Sequence, residues 1–346
     1  MKPLNTILIL TAFLFQSCLE PFSPDVPDNN ENFLVVDATI TNQPGPYTVY
    51  IRQSTALNGT SPDISGVIVS IEEEQEGITD LLVEVNPGEY QTTFIQGEIG
   101  KRYRLNLTFN GRQYQSTWEE IMIPQTIDSI YFEAKTIGTS DRDNDASGLE
   151  FFLDTQGSGG EPAYYRFELS ETWKFQAPRP SFLDYLGNDM TERAKNPVHT
   201  CWSTNDVRRI NLANTANLTQ NILARHPLRF ITGEEDRFTI RYSLLVQQYV
   251  ISEKEHTFWR QLQESNQELG SIFDRQPSRT LGNIVNTNDP DDLILGYFSA
   301  SGLSEKRLFV DAAEIPEFVI KRRMCNSLDT LSKFALGPAY EETLVE

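Results

Sequence analysis

Cys18 has the most specific chemical setting in the chain. Lys2 is the only charge before the apolar run Ile7-Leu8-Ile9-Leu10-Thr11-Ala12-Phe13-Leu14-Phe15, which stops at Gln16-Ser17-Cys18. A positive start, a short apolar core and a small residue before a cysteine are the layout of an export signal. The run is far shorter than the roughly 20 residues a helix needs to cross hydrocarbon, which disfavours a membrane-spanning anchor. Cysteine directly after Ser17 marks lipidation, because the peptidase that cleaves such signals acts on a diacylated thiol. Residues 1–17 are therefore expected to be a signal peptide, and Cys18 a lipid anchor and not a nucleophile. Several acyl chains on one amino terminus hold a protein stably, where one chain would bind reversibly.

With Cys18 assigned to lipid, Cys201 and Cys325 remain. Outside the cytoplasm disulfides persist, so a Cys201–Cys325 bridge is expected, with two buried free thiols as the alternative. Such a bridge would close a long loop, a constraint of about 4 to 5 kcal/mol on the unfolded chain in the entropic account. The three histidines, His199, His226 and His256, show no metal-ligand spacing, and no nucleophile elbow, phosphate loop or dinucleotide fingerprint is present. No metal, cofactor or catalytic residue is expected. Asp141-Arg142-Asp143-Asn144-Asp145 sets carboxylates at alternate positions, as a calcium loop does. Its glycine, Gly148, comes two residues late, and Phe152 stands where a bidentate glutamate belongs, so the segment reads as a solvated turn. Pairs of carboxylates that could serve as acid and base are certain by chance among 49 acidic residues, and they identify no hydrolase.

The aromatic residues offer a different chemistry. Trp173, Trp202 and Trp259, with Tyr164, Tyr165, Phe175 and Tyr185, could build a sugar or peptide platform, because flat rings bury area at low entropic cost. Most are expected in the core. Trp173 to Lys195, with Pro178, Pro180, Asp184, Gly187 and Asn188, lacks regular periodicity and reads as an extended loop, and long loops in compact domains are often functional. Trp173, Phe175, Tyr185 and Trp202 are the ligand-binding candidates on this reading.

Charge narrows the partners. The net charge is −20, and removing Lys2 with the signal gives −20 − 1 = −21. An acidic chain of this kind argues against nucleic acid and against direct adsorption on anionic headgroups. Membrane contact is expected through the lipid on Cys18 alone.

The elements that must position these residues are mostly strands. Residues 18–32, rich in proline and acid, read as a lipidated, semi-rigid tether. Residues 33–120 alternate apolar and polar side chains in short runs broken by Pro87-Gly88, Gly97, Gly100 and Asn110-Gly111, the last a good two-residue hairpin turn. Strands at such intervals predict a β-sandwich. Residues 121–346 predict a larger β-rich domain, with strands at Ser129 to Ala134, Leu149 to Leu153, Ala163 to Ser170, Phe238 to Val246, Ile294 to Ala300 and Arg307 to Val310. One short helix is expected: Ser252-Glu253-Lys254-Glu255 has the form of a capping box, and Phe258, Leu262 and Leu269 share a face before Gly270. The fold class is thus mainly β.

Two resemblances add to this. Gly66-Val67-Ile68-Val69-Ser70-Ile71, Pro87-Gly88-Glu89-Tyr90 and Gly100-Lys101-Arg102-Tyr103-Arg104-Leu105 resemble a prealbumin-like or carboxypeptidase-regulatory-like module, commonly a spacer or docking piece. Ser17-Cys18-Leu19-Glu20-Pro21-Phe22, Ala163-Tyr164-Tyr165-Arg166-Phe167, Gly282-Asn283-Ile284 and Leu295-Gly296-Tyr297-Phe298-Ser299-Ala300 resemble the Bacteroidota lipoproteins grouped as domain of unknown function 4249, over nearly the whole mature chain. That resemblance implies an outer-membrane address. It also implies an accessory role beside a TonB-dependent β-barrel receptor, since such genes often neighbour those of these receptors. Glu20 and Asp25 would fit an acidic surface-export signal, favouring the cell-surface side. An independent glycan- or peptide-binding adhesin is the alternative.

Overall fold

A computed structural model of the chain describes residues 33–55, 61–138, 145–157, 162–181, 183–186, 189–192, 198–233, 236–267 and 280–319. The signal peptide, Cys18, the tether, the 139–144 turn and Cys325 lie outside the described residues.

The described residues of the first half form nine strands: β1 (Leu34–Thr41), β2 (Thr48–Gln53), β3 (Ile68–Glu73), β4 (Thr79–Leu81), β5 (Val83–Asn86), β6 (Glu89–Gln91), β7 (Arg102–Phe109), β8 (Arg112–Ser116) and β9 (Glu119–Glu120). The second half follows with β10 (Ile127–Ile137), β11 (Ala146–Gln156), β12 (Tyr164–Ser181), β13 (Leu183–Leu186), β14 (Asp189–Glu192), β15 (Val198–Asn214), β16 (Ile222–Thr232), β17 (Arg241–Ile251), the helix α1 (Glu253–Gln267), β18 (Ile284–Asn286) and β19 (Ile294–Asp311). The described residues are mainly β, as the alternation predicts, with one α-helix among them.

Two β-sandwiches share one strand. In the first, β1, β2, β6 and β5 lie over β18, β8, β7, β3 and β4. Every second residue points inward: Val36, Ala38 and Ile40 of β1 meet Tyr103, Leu105 and Leu107 of β7 in one core. Full burial of such aliphatic side chains contributes about 1.5 to 3 kcal/mol each. The Asn110-Gly111 turn forms as the sequence dictates, with both residues at positive φ, 50° and 77°, and Phe109 opposite Arg112.

The first sandwich is not completed by residues 33–120. β1 runs parallel to β19, Leu34 against Ile294 through Thr41 against Ser301, and β18 pairs with β8. Ile284, Ile294, Phe298 and Ala300 belong to its core. Parallel neighbours need a long crossover, here most of the chain, so no local pattern announces the pairing. Gly296 makes the close approach possible: its φ is +103°, and a Cβ there would lie 1.8 Å from the Val36 carbonyl oxygen.

The segments Ile294 to Ala300 and Arg307 to Val310, read as separate strands, are one strand of 18 residues. Its second half leaves β1 and pairs antiparallel with β17, from Val250 against Gly302 to Arg241 against Asp311. In this second sandwich the sheet β15-β12-β17-β19 faces β10-β11-β16, and Phe151, Leu153, Tyr165, Phe167, Tyr242 and Leu244 fill the space between. Phe238, expected to open a strand, instead ends a 3-10 turn (Asp236–Phe238) and sets its ring edge-on to Tyr242 at 5.2 Å.

The stretch Trp173 to Lys195, read as a loop, is mostly strand. β12 runs on to Ser181 and the β13–β14 hairpin follows, before β15 returns from Val198. The last β12–β17 pair is Lys174 against Arg241; beyond it β12 pairs with β15 alone, as a two-stranded ribbon. Proline breaks a central strand, but Pro178 and Pro180 fall between Gln176 and Ser181, where β12 makes no ladder pair.

Candidate functional site

The outer face of the second sandwich, on the opposite side of β15-β12-β17-β19 from the core, is built from alternate residues of four strands. Residues directly opposite each other share a face. One row across it is Trp202, Lys174, Arg241 and Asp311; the next is Thr204, Thr172, Ser243 and Phe309; then Asp206, Ser170, Leu245 and Arg307. Trp202 is 61% exposed and Phe309 56%. On opposite edges, three strand spacings apart, they stand on the order of 15 Å from one another. The surface between is polar and internally bonded: Arg241 forks onto Asp311 at 2.6 and 2.9 Å, Arg307 donates to Ser243 Oγ at 2.8 Å and Gln247 to Glu305 at 2.7 Å.

Of the four aromatic candidates, Trp173, Phe175 and Trp202 do not converge, and the Tyr185 side chain lies outside the described residues. Trp202 lies on this outer face, with the Lys174 ammonium 5.6 Å from its ring centre. Trp173 and Phe175 alternate to the other side of β12. Trp173 packs on the second core beneath the Arg237 guanidinium, 4.9 Å from its ring. Tyr185 stands opposite Met190 in the β13–β14 hairpin. Cys201 sits half-buried opposite Phe175, and Cys325, its expected partner, lies outside the described residues.

Trp173 belongs instead to a buried ionic cluster. Glu171, with no exposure, accepts from Tyr242 Oη at 3.0 Å and from Asn205 at 3.2 Å, and pairs with Arg229 at 2.7 Å and Arg237 at 2.5 Å. Four partners satisfy one carboxylate in the core, which marks the cluster as structural. His226 is likewise internal: it stacks on Phe167 at 5.2 Å, and burial holds its pKa down to about 4.

At the head of the outer face α1 lies across the sheet. The predicted cap forms in part: the Glu255 amide donates to Ser252 Oγ at 3.1 Å. The Glu255 carboxylate turns inward, accepting from Trp259 Nε1 at 3.1 Å and Ser299 Oγ at 2.9 Å. Beside it the Arg166 guanidinium is sandwiched between the rings of Tyr249 and Trp259, at 4.4 and 4.9 Å. Arg166 is bonded to Glu168, which also accepts from Tyr249 Oη at 3.0 Å. The nearest approach of Arg166 to Glu255 is 4.0 Å, beyond hydrogen-bond reach. Burial therefore outweighs Arg166 and pushes Glu255 up to about 7.

Next to this assembly opens a cleft of about 410 Å³ whose walls include Arg166, Glu168, Asp206, Arg208, Arg209 and Trp259. A bulge shapes it. Between Leu169 and Phe167 β12 advances two residues while β15 advances four, from Val207 to Asn211, so Arg208 to Ile210 swell out opposite Glu168. Sequence reasoning missed Arg166, Glu168, Arg208 and Arg209; the charges at alternate positions of Tyr164-Tyr165-Arg166-Phe167-Glu168 were the available signal. Among the described residues no group of His, Cys, Asp and Glu is placed to hold a metal ion, and no helix is long and apolar enough to cross a membrane.

Residues 19–307 match the model of a family described as domain of unknown function DUF4249. The chain belongs to that family. The match begins directly after Cys18 and ends inside β19, so it takes in the cleft and most of both sandwiches and stops short of Phe309 and Asp311 on the outer face. No curated protein matches the chain.

Proposed function

We propose that this DUF4249 chain is a lipid-anchored, non-enzymatic accessory subunit of an outer-membrane complex, working beside a TonB-dependent β-barrel in ligand capture or uptake. The lipid on Cys18 holds it at the membrane, on the cell-surface side. Residues 18–32 tether the folded strands to that lipid. The observation that carries the reading is the outer face of β15-β12-β17-β19, where two exposed aromatic side chains flank a polar surface. Exposed aromatics on such a face are the usual anchors of a protein or ligand contact. The test is affinity purification of the tagged full-length protein from gently solubilised outer membranes, with quantitative mass spectrometry. A TonB-dependent barrel in fixed stoichiometry is expected, and Cys18→Ser should move the protein to the soluble fraction and lose that barrel. Recovery of the lipoprotein alone would overturn the reading in favour of an independent glycan- or peptide-binding adhesin. The exposed Trp202 favours that second reading, and Trp202→Ala should then abolish ligand binding.

A further inference from the structure

The cleft beside α1 takes in Ser170, Asp206 and Gln247 from the head of the outer face and adds a cluster of arginines that the rest of that face lacks. In a chain with 29 basic against 49 acidic residues, most described arginines are spoken for: Arg52 by Asp63, Arg102 by Glu74, Arg104 by Glu72, Arg112 by Asp292, Arg225 by Glu133. Arg208 and Arg209 line the cleft, both exposed, and neither makes an ion pair among the described residues. The bulge in β15 brings both consecutive arginines to one cleft, where a regular strand would send them to opposite faces. A third guanidinium, Arg166, stands in the same wall, and its Nε is buried without a hydrogen-bond partner. The carboxylate opposite the bulge, Glu168, does not cancel the pair, since it is already engaged by Arg166 and Tyr249.

Guanidinium forks match carboxylates bidentately and hold them better than a point charge does. The other polar groups of the lining are the Ser170 hydroxyl, the Gln247 amide and the Asp206 carboxylate, beside apolar surface from Leu169, Val207, Ile210 and the Trp259 ring, a mixture suited to the hydroxyl groups and C–H faces of a sugar. The volume falls within the range of small-ligand sites, about 300 to 1,000 Å³. We propose that this cleft binds an acidic saccharide of one or two units, its carboxylate held by Arg208 and Arg209 and its hydroxyl groups by Ser170, Gln247 and Asp206. The site stands independently of any barrel partner.

The test is isothermal titration calorimetry of the full-length protein in detergent micelles, with digalacturonate, neutral digalactose and triglycine as probes. Digalacturonate is expected to bind at least tenfold more tightly than either other probe and to weaken as sodium chloride is raised. Arg208→Ala with Arg209→Ala should cost tenfold or more with an unchanged melting curve, because both side chains are exposed; Arg208→Lys with Arg209→Lys should fall between. No binding of digalacturonate, or binding untouched by the double alanine variant, overturns the site. Equal binding of digalactose overturns the role of the carboxylate, and tighter binding of triglycine overturns the saccharide.

Discussion

Replacing Glu255 by glutamine should change how stability depends on pH, in a direction opposite to that of a carboxylate held low by an ion pair. Glu255 is 1% exposed, and burial raises it from 4.5 to about 7. Between those values the folded chain keeps a proton that the unfolded chain has released. Stability therefore falls as pH rises from 4.5 to 7 and levels off above, and the loss amounts to about 3 kcal/mol at most. Glutamine can still accept from Trp259 and Ser299 but carries no charge to bury, so Glu255→Gln should lack that loss. His226 complicates the wild-type curve. Held down to about 4, it stays neutral in the folded chain and charges in the unfolded one, so its contribution is lost as pH falls below 6.5. The two slopes oppose each other between 4.5 and 6.5, and only the difference between variant and wild type isolates Glu255. Urea unfolding followed by tryptophan fluorescence, at steps from pH 4.5 to 8, should show that difference growing by about 2 to 3 kcal/mol in favour of glutamine and then becoming flat. Parallel curves, or a difference of the other sign, would refute the reasoning and mean that Arg166, at 4.0 Å, stabilises the ionised carboxylate more than burial opposes it.

A second buried carboxylate, Glu171, should behave differently. Glu171→Ala leaves Arg229 and Arg237 without their shared counter-charge, and a loss of about 3 to 5 kcal/mol is expected in chemical denaturation; a loss under about 1 kcal/mol would show that water already screens the cluster. Gly296→Ala sets a methyl group against the Val36 carbonyl at a φ of +103°, so the β1–β19 junction should weaken by at least about 2 kcal/mol, and an unchanged melting temperature would contradict the parallel register.

Local signals in the sequence determined a good part of this fold. Alternation in Arg102 to Leu107 specified a strand, which runs on to Phe109 with Tyr103, Leu105 and Leu107 inward, because side-chain direction in a strand has period two whatever its neighbour is. Asn110-Gly111 specified its turn through the positive φ those residues tolerate, and Ser252 specified the start of α1 through one side-chain acceptor. Each depends on interactions within a few residues. The tertiary structure alone decided the rest, since it depends on which distant strands meet. The pairing of β1 with β19 makes one core from residues at both ends of the fold. The β12–β15 register sends Trp202 outward while Trp173 goes inward, so two tryptophans that look equivalent in the sequence serve different ends. The inward turn of Glu255 was equally hidden, because a residue at the third position of a capping box can cap the helix or reach the sheet beneath it. Ser299, Trp259 and the neighbouring Arg166 are what make the second course favourable, and they come together only when α1 lies on the sheet.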